Sequence, residues 1–128
     1  MTFRLHSITF DCETWEPMVE FWLRASDFVE DPANPNQPGD PVGALIHPES
    51  HLQLLFIPGP DTKTVKNRLH LDLRADGVTT SDELERLLAL GARPTDVGQG
   101  DDVTWVVLSD PEGNEFCLLS RTVQEAQS

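Results

Sequence analysis

The segment Arg68-Leu69-His70-Leu71-Asp72-Leu73-Arg74 alternates ionisable and apolar side chains without a break. Successive residues of a β-strand point to opposite faces. One extended conformation therefore buries Leu69, Leu71 and Leu73 and gathers Arg68, His70, Asp72 and Arg74 on the other side. The pattern predicts a strand with a core on one face and, on the other, either solvent or the lining of a wet cavity. Which of the two holds decides what the chain can do.

The remaining composition narrows the choice. A chain of 128 residues is about one domain long. Its 9 Lys and Arg against 22 Asp and Glu give a formal charge of −13, which argues against nucleic acid or an anionic membrane surface as partner. The first ten residues have no apolar run behind a basic start, and nothing approaches the ~20 apolar residues of a membrane span, so the expected location is cytoplasmic. Cys12 and Cys117 are too few for a disulfide framework and are expected to be free thiols.

Taken in order, Phe3 to Phe10 reads as a strand with Arg4, His6, Ile8 and Phe10 on one face. Thr14 can cap a helix carrying Trp15, Met18, Val19 and Trp22 at helical spacing, with Pro17 in its first turn and an end near Ala25. Short strands are expected over residues 27–30 and 43–47, separated by a Pro-rich loop at 31–41, and a well-buried strand over 52–57 in which Gln53 is the polar member. His47 and His51 flank a turn and are expected to face solvent. After the break at Pro58-Gly59-Pro60-Asp61 comes a connector holding Lys63 and Lys66, then the alternating strand. Thr80-Ser81-Asp82-Glu83 matches a capping box for a second helix that presents Leu84, Leu87 and Leu88 and stops at Gly91. A weak strand over 93–97, a strong one over 103–108, a turn at Asp110-Pro111-Glu112-Gly113 and a last strand over 115–120 complete the order. In the last strand Glu115 and Cys117 share a face, and residues from Thr122 onward are expected to fray.

This order is strand, helix, three strands, twice over. His6 and His70 occupy matching places half a chain apart, which predicts an internal duplication of a βαβββ unit. The expected boundaries are module one at about 1–57, a connector at 58–67, module two at 68–121 and a tail at 122–128.

Several stretches carry a family resemblance: Phe21-Trp22, Lys66-Asn67-Arg68-Leu69-His70-Leu71-Asp72-Leu73, Leu90-Gly91-Ala92, and Asp110-Pro111-Glu112-Gly113-Asn114-Glu115-Phe116-Cys117. With the duplicated order they resemble the glyoxalase-like branch of the vicinal oxygen chelate superfamily, the group of glyoxalases, bleomycin resistance proteins and dioxygenases. The resemblance implies an α+β fold in which two tandem modules make a cupped, mostly antiparallel, eight-stranded sheet with helices on its outer face. It also implies a homodimer. Its metal-bearing members take ligands at positions that fall here on His6, Gln53, His70 and Cys117. At the last of these the family's metal-dependent glyoxalases have Glu, and Glu115 lies two residues earlier on the same face.

Two histidines and a carboxylate would suit Fe, Ni, Mn or Zn as a divalent ion with positions left open for the oxygens of a substrate. Glu115 is then both a candidate ligand and the candidate catalytic proton carrier, and a Cys117 ligand would shift preference towards Zn(II). Arg68, Asp72 and Trp105 are the candidate lining of the substrate cavity, with Asp72 either orienting His70 or pairing with a neighbouring Arg. Lys63, Lys66 and Arg68 form a basic rim that an anionic substrate could meet. Two functions stand open: a metal-assisted lyase, isomerase or dioxygenase acting on a small oxygen-rich or aromatic molecule, or a metal-free protein that sequesters such a molecule, as drug-resistance proteins do. A scaffold without ligand ranks last, because it has no use for the polar strand face.

Overall fold

The computed structural model describes residues 2–96 and 105–127. Two compact units make up the chain, Met1–Thr62 and Lys63–Ser128.

In the first unit β1 (Ser7–Cys12) leads into α1 (Glu16–Ala25), followed by β2 (Gly43–Ile46) and β3 (Gln53–Pro58). The sheet order is β1-β3-β2, with β1 parallel and β2 antiparallel to β3. The helix forms where expected, with Pro17 in its first turn, but begins at Trp15 without a side-chain cap, so Thr14 does not serve it. Its apolar face buries Met18, Val19, Phe21 and Trp22, and Trp15 is buried too. A Cβ on Gly43 would stand 2.7 Å from both Trp15 Cε3 and Val19 Cγ2, so only glycine lets α1 close on β2.

The second unit runs β4 (Leu71–Leu73), α2 (Thr80–Ala89), β5 (Arg93–Pro94), β6 (Trp105–Ser109), β7 (Glu115–Leu119) and α3 (Val123–Gln127). Its order, β4-β7-β6-β5, repeats that of the first unit, the opening strand again pairing parallel with the closing one. The duplication read from the sequence is therefore visible in the topology.

The described residues give seven strands in two sheets, not one sheet of eight. The strand expected at 27–30 shrinks to a single bridge between Val29 and Ile46. A side chain replaces the rest of it. Asn36 Oδ1 accepts from Ala44 N at 2.9 Å and Asn36 Nδ2 donates to Ala44 O at 2.7 Å, so the amide satisfies the edge of β2 as a strand would. β5 is two residues long, and just beyond it Thr95 N still donates to Val107 O at 3.0 Å. Val97 of the expected weak strand, and Val103 and Thr104 of the strong one, lie outside the described residues.

Three local expectations are displaced. Thr79, not Thr80, caps α2 by accepting from Asp82 N at 3.0 Å, while Glu83 pairs with Arg86 instead of reaching back. The reciprocal capping box lies at Thr122-x-x-Glu125: Thr122 N donates to Glu125 Oε1 at 2.8 Å and Glu125 N to Thr122 Oγ1 at 3.1 Å, which orders α3 where fraying was expected. Leu69 is 76% exposed, since β4 begins only at Leu71. The alternating segment is a strand only in its second half.

Candidate functional site

Strand register builds the site. Asp72 stands opposite Cys117 in the parallel β4–β7 pair, so the two side chains share a face. On β6, Val107 stands opposite Cys117 and Trp105 opposite Leu119, and they share that face as well. His70 lies two residues before Asp72 and points the same way: its Nδ1 is 3.3 Å from Asp72 Oδ1 and 3.9 Å from Cys117 Sγ. The opposite face carries Leu108, Phe116 and Leu118, all buried. The buried thiol forms the floor of the site, and the imidazole and carboxylate are open to solvent.

These three donors, one nitrogen, one oxygen and one sulfur, lie within 4.8 Å of one another. Bonds of ~2.0–2.3 Å around a tetrahedral ion separate neighbouring donors by ~3.3–3.8 Å. The two separations from His70, 3.3 and 3.9 Å, lie at the ends of that range, and all three donors lie within 4.8 Å, so side-chain rotation would bring them onto a single ion.

Burial pushes the Cys117 thiol above the ordinary thiol range. The Asp72 carboxylate adds to this by its charge and hydrogen bond, and Lys66 opposes it. The free thiol therefore keeps its proton at neutral pH and would have to release it to bind a metal.

The structure sets Glu115 apart from this cluster. Its side chain is buried, with Oε2 2.6 Å from Lys63 Nζ and Oε1 accepting from Asn67 N at 3.2 Å. Burial raises the pKa of this carboxyl. The Lys63 ammonium, with the amides of Glu115 and Asn67, more than offsets that and leaves it below the ordinary range. Both oxygens are thus engaged by the connector, and Lys63 is not a free basic rim residue.

Of the other sequence candidates, His6 is exposed and precedes β1, and its carbonyl accepts from Gln53 N at 3.0 Å. Gln53 pairs with Ser7, so its side chain takes the face of Ser7 and Thr9. Arg68 is exposed, Arg74 donates to Arg121 O at 2.9 Å, and Trp105 is 39% exposed on the Cys117 face. Asp72 meets His70 and not an arginine. His47 differs from expectation in that its Nε2 lies 3.1 Å from Asp27 Oδ2 and its ring packs edge-on to Phe28. Sequence reasoning missed Asp72 as a third donor and the engagement of Lys63 and Asn67. The first was available from the shared face of residues two apart, but the second depends on contacts across 48 residues.

A family model described as a glyoxalase-like domain matches residues 7–119. No curated protein matches the chain. Among solved structures, a variant of the fosfomycin resistance protein FosX from Listeria monocytogenes, complexed with Mn(II) and 1S,2S-dihydroxypropylphosphonic acid, aligns at TM-score 0.69 with 16% identity over 100% of both chains. FosX from Mesorhizobium loti aligns at TM-score 0.65 and 17% identity over 99% of this chain and 98% of that one. These likenesses establish the fold as glyoxalase-like.

Proposed function

Because the chain belongs to the glyoxalase-like domain family, we propose that it binds a small oxygen-bearing or aromatic molecule at the polar face of its second sheet, with a divalent ion held by His70, Asp72 and Cys117. The observation that carries this reading is the convergence of three different donors on one face, two of them open to solvent. The Mn(II) and phosphonate bound by the FosX variant support it by analogy.

A divalent ion at these donors would supply Lewis acidity towards an oxygen of the bound molecule. Within the donor set, Asp72 brings negative charge, and His70 offers Nδ1. Cys117 gives up its thiol proton as the ion arrives, and its softness favours Zn(II) over Mn(II). A thiolate in place of a second histidine also departs from the two-histidine, one-carboxylate set of oxygen-activating iron enzymes, so the reading favours isomerase or lyase chemistry over dioxygenase chemistry. Trp105 offers a flat apolar surface two residues along β6 from Val107 for the carbon part of a ligand.

The test is elemental analysis of untagged protein prepared without chelators, beside His70→Ala. About one ion per chain, lost in the variant while the metal-free forms of both proteins keep the same thermal midpoint, is the expected result, because His70 is exposed and lies outside β4. Equal metal content in both proteins would refute the assignment. Absence of metal uptake in the parent would favour the second reading, a metal-free binding protein. That reading draws its support from Cys117, whose protonated thiol is neutral and shares its strand face with Trp105.

A further inference from the structure

Glu115 is a buried carboxylate on the same strand face as Cys117, yet it does not join the donor cluster. Its two oxygens hold Lys63 Nζ and Asn67 N. Asn67 in turn donates from Nδ2 to Asn114 Oδ1 at 3.1 Å. Asn114 is fixed by the buried Asp110, whose Oδ1 accepts from Asn114 N at 2.9 Å and whose Oδ2 accepts from Asn114 Nδ2 at 3.1 Å. The turn before β7 and the connector before β4 are thereby joined by one polar chain: Lys63, Glu115, Asn67, Asn114 and Asp110.

The stretch just beyond this chain has little else to hold it. Arg68 and Leu69 are exposed, and pairing with β7 resumes only at Leu71. His70 is therefore suspended between two anchors, Asn67 on one side and β4 on the other. We infer that Glu115, through Lys63 and Asn67, is a positioning residue that sets the His70 imidazole against Asp72 and Cys117. A buried acceptor with two partners has little freedom to move, so the Asn67 backbone three residues before His70 is held in place relative to β7. Without the clamp, residues 67–70 would behave as an exposed loop, and His70 would leave the 3.3 and 3.9 Å separations that make the cluster. This inference deepens the proposed metal-binding reading and rests on it only for its affinity readout.

The experiment uses the full chain, with Glu115→Ala, Glu115→Gln and Asn67→Ala as variants and Co(II) alone as probe. Glu115→Ala removes both the acceptor of the Asn67 amide and the partner of Lys63. Glu115→Gln keeps an acceptor for Asn67 N but loses the charge that faces Lys63. Asn67→Ala keeps the backbone bond to Glu115 and removes only the link to Asn114. Two readouts are taken: the NMR cross-peaks between His70 ring protons and Cys117 β-protons in metal-free protein, and the Co(II) dissociation constant. The expected result is loss of the cross-peaks in Glu115→Ala with Co(II) affinity at least tenfold weaker, and smaller losses in Glu115→Gln and Asn67→Ala. Unchanged cross-peaks in Glu115→Ala would overturn the proposal; should that variant not fold, unchanged cross-peaks in both Glu115→Gln and Asn67→Ala would do so. Abolished Co(II) binding in Glu115→Gln with its cross-peaks intact would also overturn it, since Glu115 would then be a ligand. If the parent binds no Co(II), the metal reading fails by itself, and the cross-peaks alone decide whether Glu115 and Asn67 position His70.

Discussion

Cys117→Ser exchanges one atom at the floor of the site, and its consequence can be worked from the structure. In the free protein burial and the Asp72 carboxylate hold the thiol above its ordinary range, so it is protonated at neutral pH. Coordination through sulfur expels that proton. Below the thiol pKa the apparent affinity should therefore rise about tenfold, or ~1.4 kcal/mol, with each unit by which the pH is raised. Structural zinc sites with four protein donors bind with ~10–16 kcal/mol, which assigns about 3 kcal/mol to one donor and makes loss of the sulfur worth roughly 100-fold in affinity. Serine occupies nearly the same volume, but its hydroxyl neither ionises in this range nor offers a soft donor. The assay is titration with Zn(II) and Co(II) in competition with a chromophoric chelator at pH 7.5 and 8.5. The parent should gain about tenfold between the two and show a sulfur-to-cobalt charge-transfer band. The serine variant should lose the band, most of the pH slope and about two decades of Zn(II) affinity. Equal affinity and an equal slope in both proteins would refute the reasoning and leave the thiol as packing.

Two further predictions concern the frame around the site. Thr79→Ala should lower stability by about 1 kcal/mol in urea unfolding and Thr79→Ser should restore most of it, because the Thr79 hydroxyl accepts from Asp82 N; Glu83→Gln should change stability by less than ~0.5 kcal/mol. The Glu125 carboxyl is held below its ordinary range, first by the Thr122 amide and then by the Thr122 hydroxyl, with a smaller contribution from Arg121. Its folded pKa thus lies below the unfolded value, so the stabilisation is complete above the unfolded pKa and fades as pH falls through the folded one. Amide exchange in α3 should accelerate on acidification relative to α2, and Glu125→Gln should remove that dependence; an acid-insensitive α3 in the parent would contradict the capping-box account.

What could be read from the sequence follows the range of the interaction. Helix α1, with Trp22 and Met18 facing inward, was legible because helical spacing encodes it, and the recurrence of strand, helix and strands in each half was legible from the order of its segments; the parallel pairing of opening and closing strands was not. That Cys12 and Cys117 form no disulfide with each other was likewise expected. The eighth strand was not refutable from spacing. Val29 and Ile46 do pair, and only the folded chain shows Asn36 standing in for the remainder. Both capping boxes match the same pattern of Thr followed three residues later by Glu. At 80–83, however, Thr79 takes the cap and Arg86 takes the carboxylate, whereas at 122–125 the Glu125 carboxylate does reach back to the Thr122 amide. At the site, alternation put His70 and Asp72 on one face and Glu115 and Cys117 on another strand's face. Register alone, which no local pattern encodes, decided that Asp72 meets Cys117 while Glu115 goes to Lys63.

That register also bears on why a thiol stands at position 117. The family resemblance sets a glutamate there, opposite what is here Asp72. Two carboxylates at directly opposed strand positions would repel, and one of them would tend to stay protonated unless a cation lay between them. Cys117 places a neutral thiol at that position instead, and the carboxylate of the cluster comes from the neighbouring strand. Moving the carboxylate from β7 to β4 keeps an oxygen donor beside His70 and introduces a sulfur. The face consequently tolerates being empty better than a two-carboxylate face would, and it selects softer ions when filled. The protonated Cys117 thiol is compatible with both proposed readings, and under the metal-assisted one occupancy would rise with pH and with the supply of a soft ion.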